Sequence, residues 1–269
     1  MSSSENIPEV LEYPILSRYT EILHFTSTRS GGVSTGKYAS LNLGKYSGDK
    51  NENIQENLSR FCSKIGIETQ QVYLPFQTHG NSVLIADEEF LAQSAEKQAN
   101  LLHHTDALIT NIPDVCIAVS TADCVPILLY DPENRVIASI HAGWKGTCSR
   151  IAANTIQIMQ ATFGVNPKNL IAVIGPSISP AMYEVGAELI DTFMDAGFDV
   201  DKIFIRINNK IYLNLWKANN DILLENGVDE SNIEISGYCT YTGQSIFFSA
   251  RRLGIKSGRM ISGIMLKKN

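Results

Sequence analysis

Cysteine is sparse in this chain: five residues, at positions 62, 116, 124, 148 and 239, odd in number and without tight spacing. That argues against a disulfide framework and points to a reducing compartment. Long apolar runs are missing too, since no stretch approaches the roughly 18 uninterrupted apolar residues of a membrane helix. The opening residues 1–6 lack the basic and apolar regions of a secretion signal, so a cytoplasmic protein is expected. Positive charge is in deficit, with 22 Lys and Arg against 28 Asp and Glu and a net charge of -6. The basic residues are scattered, so neither nucleic acid nor a membrane surface is an expected partner. No internal repeat and no Pro/Ser-rich linker divides the chain. What is present is ordinary for a soluble globular protein with a sizeable core: 44% apolar and 19% charged residues over 269 positions.

Periodicity supplies the organisation. Ile54, Leu58, Phe61 and Ile65 recur at helical spacing, and Gly66 is placed to end that helix. Short strand-like runs follow at 72–76, 82–86, 107–110, 115–120, 125–130 and 136–140. The turn signal Asp131-Pro132-Glu133-Asn134 marks the last two as a hairpin. A second helix is predicted from about Thr147 to just before Gly164, and further helices over 180–196 and 215–226. Strand-like runs recur at 170–174, 203–207, 233–236 and 260–266. The expected fold class is α/β (mixed α+β): one layered sandwich of mixed sheets flanked by helices.

Three residues suited to holding a metal stand in small-residue turns beside these apolar runs. They are His79 in QTHG (77–80), Cys124 in TADCVP (121–126) and His141 in HAGWKG (141–146). Two imidazoles and a thiolate leave a four-coordinate metal with one open position, which distinguishes a catalytic zinc from a structural one. At 45 and then 17 positions apart they form no zinc-finger knuckle, so only the fold can bring them together. The simpler alternative stays open: a lone His is usually a surface or satisfied core residue, and a lone Cys a small buried hydrophobe. Asp123, beside Cys124, is a candidate to orient an imidazole or accept a proton, or else a turn residue. Trp144 offers a flat apolar wall or simple core packing.

Two segments suit anions. Thr28-Arg29-Ser30-Gly31-Gly32 pairs a guanidinium fork with two glycine amides, and Lys145-Gly146-Thr147 stands at a predicted helix start. Neither is a Walker loop. Glu184 and the pair Arg251-Arg252 are site residues or surface charges; the sequence allows both.

The motifs TRSGGVS (28–34), SLNLG (40–44), QTHG (77–80), TDALIT (105–110), TADCVPILL (121–129), HAGWKG (141–146), GPSISPAMYEVG (175–186), CT (239–240) and FFSARR (247–252) occur in the order of one known family. The chain resembles the YfiH family, also called the laccase-domain or multicopper polyphenol oxidase family, over about residues 20–266. The resemblance implies a single YfiH-like domain over 20–269 behind an N-terminal extension, 1–19. It also implies one zinc on His79, Cys124 and His141. The implied activity is zinc-dependent phosphorolysis of purine nucleosides (adenosine, inosine, guanosine, methylthioadenosine), with adenosine deamination as a further possibility. Purine nucleosides and phosphate are the implied partners, with a monomer or homodimer as the assembly. The candidate substrate contacts are Arg29, Asn42 and Lys145, and the candidate proton carriers Asp123 and Glu184. Lys145 stands where the family usually has Arg, and a lysine cannot make a planar bidentate fork. Met182 stands where a Cys is common, so that position is not expected to be a ligand.

A zinc on the trio would bring the pKa of a bound water toward about 7. The H-x-E and P-C-x-x-C signatures of the known zinc deaminases are both missing, so any deamination here uses another site design. Three rivals remain at this level. One is a cysteine hydrolase acting on peptidoglycan precursors, with Cys124 as nucleophile and a histidine as base. Another is copper chemistry, since His2Cys is also a blue-copper ligand set, although five histidines are too few for a multicopper enzyme. The third is a zinc-stabilised binding module without catalysis.

Overall fold

The computed structural model describes residues 7–268; residues 1–6, with the opening segment read above, and residue 269 lie outside the described residues. Two sheets form its centre. A five-stranded sheet runs β1 (Val10–Leu11), β2 (Ile22–Ser27), β14 (Met260–Leu266), β6 (Cys116–Thr121), β3 (Val72–Tyr73). A six-stranded sheet runs β13 (Ile233–Ile235), β9 (Ile171–Ile174), β7 (Val125–Asp131), β8 (Val136–Ala142), β5 (Ala107–Thr110), β4 (Val83–Ile85). Both mix parallel and antiparallel neighbours. A small sheet, β10 (Glu184–Val185), β12 (Lys210–Leu213), β11 (Phe204–Ile207), completes the set.

The two large sheets pack face to face, and helices cover their outer faces. Alternation along β7 shows why its sequence reads as an unbroken apolar run. Ile127 and Leu129 face the helices Ile151–Phe163 and Leu215–Glu225, while Leu128 and Tyr130 face the other sheet. A strand buried on both faces has no polar side to show. On the opposite outer face, Phe61 and Cys62 of the helix Asn51–Ile65 pack on Phe25, Cys116, Ala118 and Met265. That helix ends at Gly66, whose left-handed φ of 74° lets its N–H reach the Cys62 carbonyl. The resulting order, helix, sheet, sheet, helices, is the mixed α/β sandwich expected from the sequence.

The β7–β8 hairpin also forms where expected. The Asp131 carboxylate accepts from the Glu133 and Asn134 N–H groups and from Asn134 Nδ2, fixing the turn. Four details differ. The helix expected over 180–196 begins only at Glu188. Before it, Met182 and Tyr183 turn back to the Ser179 carbonyl, and Glu184 and Val185 pair with Tyr212 and Ile211. Tertiary partners for the backbone override the local helical spacing there. The helix expected from Thr147 is two pieces, Trp144–Cys148 and Ile151–Phe163, broken at Arg150 with φ 56°. The run at 72–76 contributes only Val72–Tyr73 as strand. Finally, β2 is an interior strand with no expectation attached to it. Its inward positions include His24 and Thr26, which interrupt the apolar alternation. From the segment expected as an extension, β1 joins the sheet and Tyr13, Ile15 and Leu16 are buried between the layers.

Candidate metal centre

Strand register brings the candidate ligands together. The β7–β8 pairing sets Val125 opposite Ala142 and Pro126 opposite His141, so Cys124, one residue before β7, lies beside the end of β8. On the other side of β8, β5 sets Ala107 opposite Ile140, which places Asp106 next to His141. The His141 N–H donates to the Asp106 carbonyl at 2.8 Å. The QTHG turn leads into β4, the neighbour of β5. The ligand atoms of His79, Cys124 and His141 all lie within 4.8 Å of one another. His141 is buried, Cys124 half-buried and His79 exposed, so the cluster sits at the surface end of the sandwich.

Asp106 organises this cluster. It is fully buried, and its carboxylate accepts four hydrogen bonds. Oδ1 takes the His79 N–H at 2.9 Å and His141 Nδ1 at 2.8 Å. Oδ2 takes the Thr78 N–H at 3.1 Å and the Gly80 N–H at 2.9 Å. A buried carboxylate is tolerated only when so fully bonded. The geometry fixes the proton of His141 on Nδ1 and leaves Nε2 for a metal, the usual carboxylate–histidine arrangement behind a metal ligand. The same bonds hold His79 at φ 62°, in the left-handed region that non-glycine residues rarely occupy. Gly143 leaves the room the centre needs, because a Cβ there would lie 2.9 Å from Cys124 Sγ and 3.1 Å from the His79 ring.

The trio opens onto a cavity of about 460 Å³. Its lining includes the apolar Tyr46, Phe76 and Ile255 and the polar Gln77, Thr121 and Arg259. Tyr46 and Phe76 meet edge to face, with ring centroids 4.6 Å apart.

The other sequence candidates are placed differently. Asp123 does not touch an imidazole. Its carboxylate accepts from Thr240 Oγ1 at 2.7 Å, Ser249 Oγ at 3.0 Å and the Arg251 N–H at 2.6 Å, tying the loops around 240 and 250 beneath the site. The orienting role considered for it belongs to Asp106. Arg29 lies outside the cavity lining; its guanidinium donates to the Ala39 and Gln244 carbonyls and stacks over Phe248. Lys145 is exposed over the Trp144 ring, and Trp144 itself packs against the helical core. Glu184 is a surface partner of Lys210. Asn42 is fully buried and touches no open space; its side chain holds Ser47, Asp49, the Gly44 N–H and the Arg259 N–H. The residues not singled out from sequence are Asp106 and Arg259. Asp106 stands in TDALIT, where an acid before a strand reads as a turn residue, and its partners lie 26 to 35 positions away.

Residues 23–267 match the sequence profile of a family described as multi-copper polyphenol oxidoreductase laccase. The chain belongs to this family. A purine nucleoside phosphorylase of Bacteroides thetaiotaomicron is 43% identical over 96% of this chain and 97% of its own length. A protein named adenosine deaminase RL5, from an unknown prokaryotic organism, is 36% identical over 90% of this chain and 93% of its own. Among solved structures, the YfiH protein of Bacillus licheniformis superposes with a TM-score of 0.89 at 30% identity, covering 98% of both chains. These likenesses bear out both the family resemblance and the sandwich fold.

The donor set fits a metal. Burial pushes the Cys124 thiol up, but the facing His141 and His79 imidazoles outweigh it and hold the thiol below its ordinary value. Burial likewise pushes His141 down, and the Cys124 sulfur and Asp106 carboxylate outweigh it upward. A thiolate between two imidazoles is a ready ligand set for a borderline metal. Three protein ligands leave one position of a tetrahedral set for solvent or substrate. No helix among the described residues is long and apolar enough to cross a membrane.

Proposed function

We propose that this chain is a zinc-dependent purine nucleoside phosphorylase, cleaving the N-glycosidic bond of adenosine and related nucleosides with inorganic phosphate. The observation that carries this reading is that the trio lines a nucleoside-sized cavity together with two aromatic rings. At about 460 Å³ the cavity falls within the range of small-molecule sites. Tyr46, Phe76 and Ile255 offer flat and apolar surface for a purine, and the polar lining residues Gln77 and Ser120 offer hydrogen bonds to a ribose. Two relatives named for purine nucleoside chemistry, at 43% and 36% identity, support the substrate class.

Zinc is favoured over copper because the chain's five histidines cannot build several copper centres, while two His and one Cys with an open position suit a single catalytic zinc. Bound there, the ion would supply a Lewis acid for an oxygen or nitrogen of the nucleoside. The chain's own residues hold that arrangement in place. Asp106 keeps the His141 proton on Nδ1 and fixes the turn that carries His79. Phosphorolysis transfers the anomeric carbon from the purine nitrogen to a phosphate oxygen, and the purine leaves with the bonding electrons and takes up a proton. Phosphate is already a nucleophile, so this reaction asks for no protein base. Among the described residues lining the cavity there is no Asp or Glu, whereas the known zinc deaminases depend on a glutamate proton carrier. Phosphorolysis is therefore the primary reading and deamination a side activity.

The test is product analysis after incubating metal-loaded protein with adenosine, with and without phosphate. Adenine and ribose 1-phosphate appearing only with phosphate is the expected result. Inosine without phosphate dependence would add deamination. Unchanged adenosine in both tubes would overturn the reading, and hydrolytic activity that survives chelation would favour Cys124 as a free nucleophile instead.

A further inference from the structure

We propose that Arg259 and Thr121 form the anion cradle of this cavity and hold the phosphate co-substrate, a role no anion-suited motif in the sequence fills. This deepens the phosphorylase reading and rests on it.

Arg259 is the one Lys or Arg among the described residues lining the cavity. Its guanidinium is clamped in plane. Nη1 donates to the Ser257 and Gly258 carbonyls at 2.7 and 3.0 Å, and Nη2 to the Ile255 carbonyl at 2.8 Å. A guanidinium carries five N–H donors, and no described residue accepts from Nε. The face formed by Nε and the second Nη2 proton is the bidentate edge that matches two oxygens of a phosphate. The backbone that carries this side chain is fixed as well. The Arg259 N–H donates to Asn42 Oδ1 at 2.9 Å, and the Leu43 N–H donates to the Arg259 carbonyl at 3.1 Å. A Cβ on Gly44 would stand 2.6 Å from Arg259 Cγ, so the glycine of SLNLG is required by the arginine stem. Asn42 is thus a positioning residue for Arg259, and the SLNLG motif gains a purpose.

The second observation is Thr121, at the end of β6 and paired with Met260 next to Arg259. It lines the same cavity, is 1% exposed, and its Oγ1 has no hydrogen-bond partner among the described residues. A buried hydroxyl without a partner is uncommon and points to a ligand that supplies one. The cradle lies beside the centre, because Arg259 and Thr121 line the same cavity as His79, Cys124 and His141. Arg29 and Lys145 are not placed for this role: both lie outside the cavity lining, and the Nε and Nη2 edge of Arg29 is already taken by the Ala39 carbonyl.

The experiment is equilibrium dialysis of radiolabelled inorganic phosphate against metal-loaded wild type, Arg259→Lys, Arg259→Met and Thr121→Val, paired with phosphate and adenosine KM values. Loss of a bidentate charged contact should weaken phosphate binding about tenfold in Arg259→Lys and more in Arg259→Met, with the adenosine KM little changed. Thr121→Val should weaken it about threefold while leaving the fold intact. Should Arg259→Met fail to fold, the lysine and valine variants carry the test. Phosphate binding unchanged in both of those, or absent from wild type, would overturn the cradle. Phosphate-dependent cleavage with an unchanged phosphate KM would overturn the cradle and leave the phosphorylase reading standing. Arg259-dependent phosphate binding without nucleoside cleavage would support the cradle and sink the phosphorylase reading.

Discussion

Two buried aspartates stand within reach of the same candidate metal centre, and they do different things. Asp106 is fully buried and binds the His141 imidazole together with three N–H groups of the QTHG turn. Asp123, next in sequence to Cys124, binds no side chain of the trio; it accepts from Thr240, Ser249 and the Arg251 N–H and ties down the loops around 240 and 250. Adjacency in sequence therefore misleads about adjacency in function. What decides is strand register: β5 beside β8 delivers Asp106 to His141, while the left-handed turn at Asp123, with φ 92°, swings its carboxylate toward the C-terminal loops.

The contrast can be broken or sharpened by substitution. The largest effect is expected from His141→Ala, which removes a ligand and should lower metal affinity by more than about 100-fold, beyond the usual effect of losing a supporting contact. Metal content after gel filtration reads this out. Next comes Asp106→Asn, which keeps the shape but replaces one acceptor oxygen with an NH2 group. Metal affinity should fall about 10- to 100-fold, measured by competition with a chelator. Asp123→Asn is the matched control, and Asn tolerates the left-handed backbone. It should cost about 2 kcal/mol of stability through weakened buried hydrogen bonds, seen as a lower Tm, with metal affinity unchanged. A tenfold loss of metal affinity in Asp123→Asn would erase the distinction. Smallest of all, Lys145→Ala should leave stability within about 0.5 kcal/mol and the phosphate KM unaltered, since the side chain is exposed and outside the cavity.

Much of the layered core was legible because its strands are buried on both faces, so β5, β6, β7, β8 and β9 read as plain apolar runs. The hairpin turn at Asp131 carried its own side-chain signal. Strand β2 was hidden by His24 and Thr26 on its inward face, and β10 by apolar spacing that mimics a helix until its backbone finds β12. The trio was visible as residue types in small-residue turns. Its support was not, because Asp106 and Arg259 depend on contacts set by long-range register: Arg259 is held by Asn42, 217 positions earlier in the chain. Asn42, a candidate substrate contact by sequence, is buried behind Arg259.

The most direct test of the central claim is elemental analysis of the protein purified with zinc present, alongside Cys124→Ala of verified fold. The account predicts one zinc per wild-type chain and essentially none in the variant. Equal zinc in both proteins, or none in wild type, would contradict a metal centre built on His79, Cys124 and His141.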